Sequence, residues 1–213
     1  LVQANRNGFF YVLDRTNGKF LFGTKYVKNV TWATGLTAEG RPIRVPDMEP
    51  TLEGRRVCPS LEGASNWYST SYNPVTGLYY VQTNDKCGVF TKIPMEWAAG
   101  RGYMGGSFTQ SPNEPAQRVL RAIDIQTGKI AWELPQVGPV TSWGGTLSTA
   151  GGIVIFGEDG GSLMAADAAN GTPLWSFQTN QNWKASPMTY SFDNKQYVAV
   201  ASGSAIIAFG LPD

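Results

Sequence analysis

Short stretches of apolar residues, some alternating with polar ones and some continuous, recur along the whole chain. They are bounded by glycine, proline, asparagine and aspartate, which favour tight turns, so they are typical of β-strands. The pattern predicts strands at 8–14, 19–22, 67–72, 78–83, 87–92, 118–124, 130–134, 153–157, 162–166, 173–177, 196–202 and 205–209. Helical spacing is hard to find, since residues 95–103 are too short and too rich in glycine to form more than a turn.

An internal repeat links three of the turns between these strands. Each copy has an aspartate and, four positions later, a glycine, and two copies add a tryptophan: Asp14 and Gly18; Asp124, Gly128 and Trp132; Asp167, Gly171 and Trp175. The last two copies lie 43 residues apart, and the first lies 110 residues before the second. That distance is about two periods of the ~40–50 residues that one four-stranded propeller blade occupies. With degenerate copies at 72–83 and 191–200, the spacing predicts an all-β fold, a β-propeller of about four blades, over a β-sandwich.

The three repeated residue types have physical roles in such a turn. A glycine tolerates positive φ, and an aspartate just before the turn accepts hydrogen bonds from its amides. The tryptophan brings roughly 150–250 Å² of surface to pack on the next blade. Because a blade cannot bury both faces until a neighbour stacks on it, we expect each copy to join two blades. Ordinary hairpins that share these residues by coincidence are the alternative.

The composition narrows the class of protein. The 213 residues are 42% hydrophobic and 15% charged, and no apolar run approaches the ~18 residues that would span a membrane. We therefore expect a soluble, globular chain of one domain, residues 1–213, without a transmembrane segment. The net charge is +1, from 17 basic and 16 acidic side chains, and the sequence has no run of basic residues. It therefore does not indicate a basic surface that would bind nucleic acid.

The chain contains no histidine. This excludes Ser-His-Asp and Cys-His catalytic groups, histidine zinc sites and the Cys-x-x-Cys-His haem attachment from these residues. Any chemistry must use carboxylates, amides, lysine, arginine or a bound cofactor. Residues 157–161 (GEDGG) offer too few ligands for a calcium loop, so we expect a turn between two strands there.

Five blocks of sequence, in family order, resemble the pyrroloquinoline quinone (PQQ) dependent alcohol dehydrogenases, which are periplasmic eight-bladed propellers with tryptophan-docking repeats. The blocks are residues 5–19, 66–85, 122–133, 142–179 and 185–203. A single Gly-Lys-x-x-Trp match would be weak evidence, whereas five blocks cover most of the chain. The resemblance implies a partial propeller domain, the C-terminal half of such an enzyme. The chain also opens abruptly in a strand-like stretch at residues 1–14 (LVQANRNGFFYVLD), which we expect of a piece of a longer protein.

The resemblance implies cofactor-binding roles for five residues, each with a plainer alternative. Arg6 matches a basic residue that reaches a quinone carbonyl oxygen, although solvation alone explains an arginine at a strand end. Asn66 matches an in-plane amide contact, and Trp67 beside it serves equally well as a core residue. Trp143 matches a tryptophan that lines the cofactor plane, but packing is the commoner role for one of seven tryptophans. Gly144, which with Gly145 follows Trp143, would let the backbone approach the ring closely.

Cys58 and Cys87 are the only two cysteines. The matching family pattern pairs them in a disulfide, which implies an oxidising compartment such as the periplasm. Closing this loop would stabilise the fold by ~3.6 kcal/mol in the chain-entropy model. Two free buried thiols are the alternative. Neither cysteine is adjacent to another, so they are not the vicinal pair that covers PQQ in the family.

Several parts of the family's active site have no match here. The Ca²⁺ ligands, the aspartate base, the tryptophan below the ring and the vicinal disulfide precede the matched region, so neither a catalytic nor a metal residue is assigned in this chain. In the complete enzyme the resemblance implies PQQ with Ca²⁺ or a lanthanide, a hydride taken from a small primary alcohol, and electrons passed to a cytochrome c. This chain would be inactive alone.

The sequence is also compatible with two other functions. One is a non-catalytic propeller scaffold or binding module, whose open sheet edges would be covered by the rest of the propeller or by a second copy of the chain. The other is a PQQ sugar dehydrogenase, against which residues 8–15 and the Asn66-Trp67 pair argue only modestly.

Overall fold

The computed structural model describes residues 1–211, and these contain nineteen β-strands and no helix. In chain order the strands are β1 (Val2–Ala4), β2 (Phe9–Leu13), β3 (Phe20–Lys25), β4 (Ala33–Leu36), β5 (Pro42–Arg44), β6 (Arg55–Val57), β7 (Ser71–Asn73), β8 (Leu78–Asp85), β9 (Gly88–Lys92), β10 (Gly106–Gln110), β11 (Gln117–Asp124), β12 (Ile130–Pro135), β13 (Thr146–Ser148), β14 (Ile153–Gly157), β15 (Ser162–Asp167), β16 (Pro173–Gln178), β17 (Met188–Phe192), β18 (Lys195–Ser202) and β19 (Ala205–Gly210). The predicted all-β class is confirmed. Within the described residues there is therefore no helix that could cross a membrane.

Each of the twelve predicted strands corresponds to an observed one, and ten agree in their bounds to within two residues. The strand predicted at 19–22 extends further, since β3 runs to Lys25. The strand predicted at 67–72 differs most, because β7 is formed only by Ser71–Asn73. Trp67 and Tyr68 belong instead to the loop before β7, and the Ser69 carbonyl there accepts a hydrogen bond from the Thr146 amide (3.0 Å). Residues 95–103 contain neither strand nor helix, as predicted.

The chain divides into two compact units. The first contains residues 1–64 and 85–116, and its sheets have the strand orders β1-β2-β3, β10-β9-β6 and β4-β5. The second contains residues 65–84 and 117–213, and its sheets have the orders β12-β11-β8-β7, β13-β14-β15-β16 and β17-β18-β19. The hairpin pairs in these sheets, such as β11–β12 and β14–β15, are antiparallel, and two sheets have the four strands expected of a blade. The single-domain interpretation stays a prediction.

The three repeat copies fold into the same turn. In each, the aspartate carbonyl accepts a hydrogen bond of 2.8 Å from the amide of the glycine four residues on. The aspartate carboxylate accepts further amide hydrogen bonds, such as those from Gln126 (2.8 Å) and Thr127 (2.9 Å) to Asp124. The glycines have φ values of 75°, 69° and 76°. The predicted roles of the aspartate and the glycine are therefore confirmed.

The core of the second unit lies between the sheets of β7, β8, β11 and β12 and of β13–β16. Its fully buried members come from the central strands and include Tyr80, Leu120, Val154 and Phe156. Central strands carry apolar residues on both faces because each face meets a neighbouring layer. The last sheet, β17–β19, contributes Val200 to a second cluster around Trp183, whose indole is fully buried.

Trp132 joins two of these sheets as predicted. It leaves β12 and lies against the turn after β15, where a Cβ on Gly171 would approach its ring to 2.5 Å. The indole Nε1 donates a hydrogen bond to the Ala168 carbonyl (3.2 Å), which also accepts one from the Tyr80 hydroxyl (2.8 Å). The ring therefore packs against the turn glycine of the neighbouring repeat copy.

Candidate functional site

Two predicted site residues, Trp67 and Trp143, lie together in the second unit. Their rings are stacked, with centroids 6.2 Å apart and planes 11° from parallel. We call them the indole pair. Trp67 is 66% exposed, so it is not a core residue, and Trp143 is half-buried. The indole pair therefore presents flat aromatic surface to solvent, which is the kind of surface on which a planar ligand stacks.

The loop that carries Trp67 is ordered by neighbouring side chains. The side-chain oxygen of Asn66, which is half-buried, accepts a hydrogen bond from the Trp67 amide (2.9 Å). Tyr68, next in sequence, is buried and meets the Trp143 ring edge-on at 6.3 Å. Burial raises the pKa of the Tyr68 hydroxyl above its usual value, which keeps this group neutral. Asn66, Trp67 and Trp143 thus lie within one unit, and their contact with a cofactor stays a prediction.

Gly144 has a packing reason to be glycine. A Cβ there would lie 3.0 Å from the Trp183 Cβ and 3.2 Å from the Ala185 carbonyl oxygen. At Gly145 a Cβ would lie 2.5 Å from the Ser69 carbonyl oxygen. The segment between Trp143 and β13 is therefore packed closely against neighbouring chain at both glycines. Close approach to a cofactor by Gly144 stays a prediction.

Behind the indole pair lies a buried arginine that the sequence did not single out. Arg118, on β11, is 1% exposed, and its guanidinium donates to the Asn84 side-chain oxygen (2.9 Å) and to the Gly144 carbonyl (3.0 Å). Its Cζ lies 4.9 Å from the centre of the Tyr68 ring. Burial lowers the pKa of Arg118, opposed by attraction to Tyr68 and Asp159. An arginine on a strand normally suggests a solvated position, so the sequence carried no signal for this role.

Arg6 lies in the first unit, in the segment between β1 and β2. It is exposed, and its guanidinium donates to the Leu61 carbonyl. Its own carbonyl accepts a hydrogen bond from the Ala64 amide (2.9 Å), and a Cβ on Gly63 would lie 2.6 Å from the Arg6 Cβ. The arginine is therefore held against residues 61–64 while its charge stays accessible. Its contact with a quinone stays a prediction.

Cys58 and Cys87 form a disulfide in the first unit, with Cα atoms 4.4 Å apart, as the resemblance implied. Both are buried, and the Arg56 guanidinium lies 3.4 Å from the Cys87 sulfur. Arg56 also pairs with Glu114 (Nη2 to Oε2, 2.8 Å), and this hydrogen bond lowers the pKa of the carboxyl. Two free thiols are thus excluded. Glu114 lies close enough to both sulfurs to suggest a metal cluster, but disulfide sulfurs are not thiolate ligands.

Two surface cavities of the described residues lie away from these side chains. One, of about 440 Å³, is lined in the first unit by residues 92–96, Tyr103 and Gly105. The other, of about 370 Å³, is lined in the second unit by residues of β16, β18 and β19 and of the loops beside them. Neither includes a predicted cofactor residue. The indole pair lies at the surface, outside both cavities.

Residues 157–161 form a turn between β14 and β15, as predicted. The Glu158 amide donates to the Ser162 carbonyl (2.7 Å), and the Gly161 amide donates to the Glu158 carbonyl (2.9 Å). The Asp159 side chain, which is 3% exposed, accepts backbone hydrogen bonds instead of facing solvent. A calcium ligand is therefore not required to explain this carboxylate.

Comparison with known proteins connects this geometry with one group of enzymes. Residues 104–198 match the family model described as PQQ: glucose/ethanol/alcohol dehydrogenase, beta-propeller domain. The quinoprotein alcohol dehydrogenase PedH of Pseudomonas putida is 42% identical over 208 residues, which cover 94% of this chain and 35% of that protein. The chain thus spans about a third of the length of the relatives it matches, less than the half that the resemblance implied.

Solved structures agree with the sequence matches. The quinohemoprotein alcohol dehydrogenase of Comamonas testosteroni superimposes with a TM-score of 0.86 at 34% identity, covering 96% of this chain and 32% of that one. A europium-containing methanol dehydrogenase gives a TM-score of 0.85 at 32% identity, covering 95% of this chain and 36% of that one. The β-propeller fold predicted from the repeat is confirmed.

Proposed function

We propose that this chain is part of a quinoprotein alcohol dehydrogenase, a group of enzymes that it resembles in sequence and fold. We propose further that the complete protein oxidises alcohols with PQQ and that the indole pair forms part of the cofactor site. The observation that carries the proposal is the stacked, partly exposed pair of Trp67 and Trp143. A fused-ring quinone is planar, and flat aromatic surface that already lies partly in solvent can receive it without unpacking a core.

The side chains of this part of the protein would bind and orient the cofactor. Bound PQQ would supply the two-electron oxidising chemistry that an alcohol oxidation needs. Trp143, backed by Tyr68, fixes the plane of the aromatic surface, while Asn66 offers an amide beside it. Arg6 would add positive charge near an oxygen that gains electron density. These four roles are proposals for this chain.

For the complete protein we propose a bound metal ion, Ca²⁺ or a lanthanide. We propose that its ligands are residues outside this chain. Both ions prefer several carboxylate and carbonyl oxygens. In the described part of the chain, the cluster of Cys58, Cys87 and Glu114 offers one carboxylate beside a disulfide, so its donor set does not fit such an ion. No step is assigned to the metal here.

The substrate, the electron acceptor and the cellular location are also proposals, and they rest on the relatives of the chain and on its disulfide. Small primary alcohols are the proposed substrates and a cytochrome c the proposed electron acceptor, because quinoprotein and quinohemoprotein alcohol dehydrogenases are the relatives of this chain. A periplasmic location is supported by the buried disulfide, which persists in oxidising compartments.

The proposal is tested in the complete protein by titration with PQQ in the presence of Ca²⁺ or La³⁺, followed by the quinone absorbance and by alcohol-dependent reduction of a dye. We expect Trp143→Ala to weaken PQQ binding about tenfold or more, since it removes the half-buried member of the indole pair. Trp97→Ala is the matched control, because Trp97 is also exposed (71%) but lies in the turn at 95–103.

Three outcomes would overturn the proposal. An unchanged quinone spectrum with the unmodified protein would favour the scaffold alternative. Reduction of the dye by a sugar and not by alcohols would favour a sugar dehydrogenase. Equal losses of PQQ affinity in Trp143→Ala and Trp97→Ala would show that the indole pair has no special part in binding.

A further inference from the structure

The backbone that leads into Trp143 has a conformation that needs support. Val140 is β-branched and has φ of 59°, in the left-handed region that such residues rarely occupy. It is also buried, at 8% exposure. A buried residue in this conformation persists only when its surroundings hold it there. The position of Trp143, three residues on, therefore depends on groups that fix residues 138–144.

Asp159 holds the first part of this segment. Its Oδ1 accepts hydrogen bonds from the amides of Thr141 (3.0 Å) and Ser142 (2.9 Å), and its Oδ2 accepts one from the amide of Val140. Gly138 makes room for the carboxylate, because a Cβ there would lie 2.4 Å from Oδ2. The Asp159 amide donates in turn to the Gln136 side chain (3.0 Å). Three successive amides thus converge on one buried carboxylate, an arrangement that fixes backbone direction.

Arg118 holds the other end. Its guanidinium donates to the carbonyl of Gly144 (3.0 Å) and packs over the Tyr68 ring, whose edge meets Trp143. Trp143 itself donates its amide to the Trp183 carbonyl (2.6 Å). Arg118 therefore contacts both the peptide that follows Trp143 and the ring beside it.

We propose that Arg118 and Asp159 are positioning residues for the indole pair, setting the plane of Trp143 against Trp67 by holding the backbone on either side of Trp143. The cofactor part of this inference rests on the proposed function, and the geometric part does not. Neither residue needs to touch the cofactor. A rigidly held aromatic surface binds a planar ligand without a loss of side-chain freedom at the moment of binding.

The matched control is provided by the same strand. Arg121, three residues along β11, is also buried (3% exposed). Its guanidinium also donates to two side chains, those of the buried Thr83 (2.7 Å) and of the exposed Glu133 (2.7 Å). Neither partner belongs to residues 138–144. Arg118→Met and Arg121→Met therefore remove the same guanidinium from the same strand, and both should lower the Tm of unfolding. Only the first should disturb the indole pair.

The experiment uses circular dichroism of the complete protein to measure the exciton couplet of the two stacked indoles. The couplet is assigned as the part of the spectrum that disappears in the Trp143→Phe variant. We expect Arg118→Met and Asp159→Asn to lose most of this couplet and Arg121→Met to keep it. Arg118→Lys, which can still donate to the Gly144 carbonyl, should restore part of it. For PQQ, we expect Arg118→Met to raise the apparent Kd about tenfold and Arg121→Met to raise it less than about twofold.

The outcomes separate this inference from the proposed function. If the unmodified protein does not bind PQQ, the proposed function fails while the couplet still tests the positioning role. If Arg118→Met and Asp159→Asn both keep the couplet, the positioning role is wrong even when PQQ binds. It is also wrong if Arg118→Met and Arg121→Met lose the couplet equally, because the effect would then be general destabilisation.

Discussion

Trp132 and Trp175 occupy the same position in two copies of one repeat, but they make different contacts. Trp132 is half-buried on the turn that follows β15, with its indole nitrogen bonded to the Ala168 carbonyl. Trp175 is 43% exposed and meets Phe209 of β19 edge-on, at 5.3 Å. Both indoles contact the next sheet, but among the described residues Trp132 packs on the turn of a repeat copy and Trp175 does not.

The difference shows which part of the repeat acts locally and which does not. The aspartate and glycine determine the turn within their own hairpin, so all three copies have the same turn. The docking of the aromatic ring depends on a second segment far along the chain. In the first unit, Phe20 makes a comparable contact with a different partner, since a Cβ on Gly40 (φ 81°) would lie 2.5 Å from its ring. A ring over a positive-φ glycine is thus a recurring contact with variable partners.

Removing each tryptophan gives the largest expected contrast. We expect Trp132→Ala to lower the free energy of unfolding by about 3 kcal/mol, because it removes a ring packed on Tyr80 and Gly171. Trp175→Ala should cost about 1 kcal/mol, since much of that ring is already exposed and an edge-on aromatic contact is the main loss. Urea denaturation followed by circular dichroism measures both. Equal losses would show that docking on the turn does not distinguish the two positions.

The turn glycines give a smaller and more specific contrast. Gly171 and Gly18 have nearly the same φ, 76° and 75°, but an added Cβ meets the Trp132 ring at Gly171 and nothing within 4 Å at Gly18. Gly18→Ala should therefore cost about 1 kcal/mol for backbone strain alone. Gly171→Ala should cost about 2 to 3 kcal/mol, because the ring must also move.

The double variant Gly171→Ala with Trp132→Ala tests the origin of that excess. With the ring absent, the cost of the Gly171 substitution should fall to that of Gly18→Ala, which thermal or urea unfolding can measure. An excess that persists without the ring would locate the strain elsewhere in the turn.

Sequence alone predicted the longer strands because each has enough residues to show a pattern. The strands it missed are β1, β4, β5, β6, β10, β13 and β17, of which four have only three residues. Three residues carry barely one alternation, and such strands form because a longer partner offers its edge. For example, β13 pairs with β14 from Thr146 to Ser148. Their position is decided by tertiary contacts that no local window contains.

The sequence identified candidate site residues only through the family resemblance. Trp67 and Trp143 could be named from the resemblance, and the structure brings them together. Arg118, Tyr68 and Asp159 gave no signal, because a strand arginine, a loop tyrosine and a turn aspartate are all ordinary at exposed positions. Only the fold shows that they are buried and that their polar atoms support the residues on either side of Trp143. Support of this kind depends on side chains that are distant in sequence.

The smallest expected effect concerns the aspartates of the repeat turns. Hydrogen bonds from the Thr127 and Gln126 amides hold the pKa of Asp124 below its usual value, and those from Thr16 do the same for Asp14. A lowered pKa in the folded state stabilises the fold above the unfolded pKa, and this contribution is lost as the pH falls through the folded pKa. Because both carboxyls are exposed, we expect the change in stability for Asp124 to be well below about 1 kcal/mol.

Titration of the carboxyl carbons by NMR therefore measures this effect better than unfolding does. Both aspartates should titrate below the ordinary value of 3.8. In Trp132→Ala the low pKa of Asp124 should persist, since its hydrogen bonds lie within its own turn and do not involve the docked ring. A return of the Asp124 pKa to its ordinary value in that variant would contradict the separation between local turn and distant docking, because it would make the turn depend on the contact between sheets.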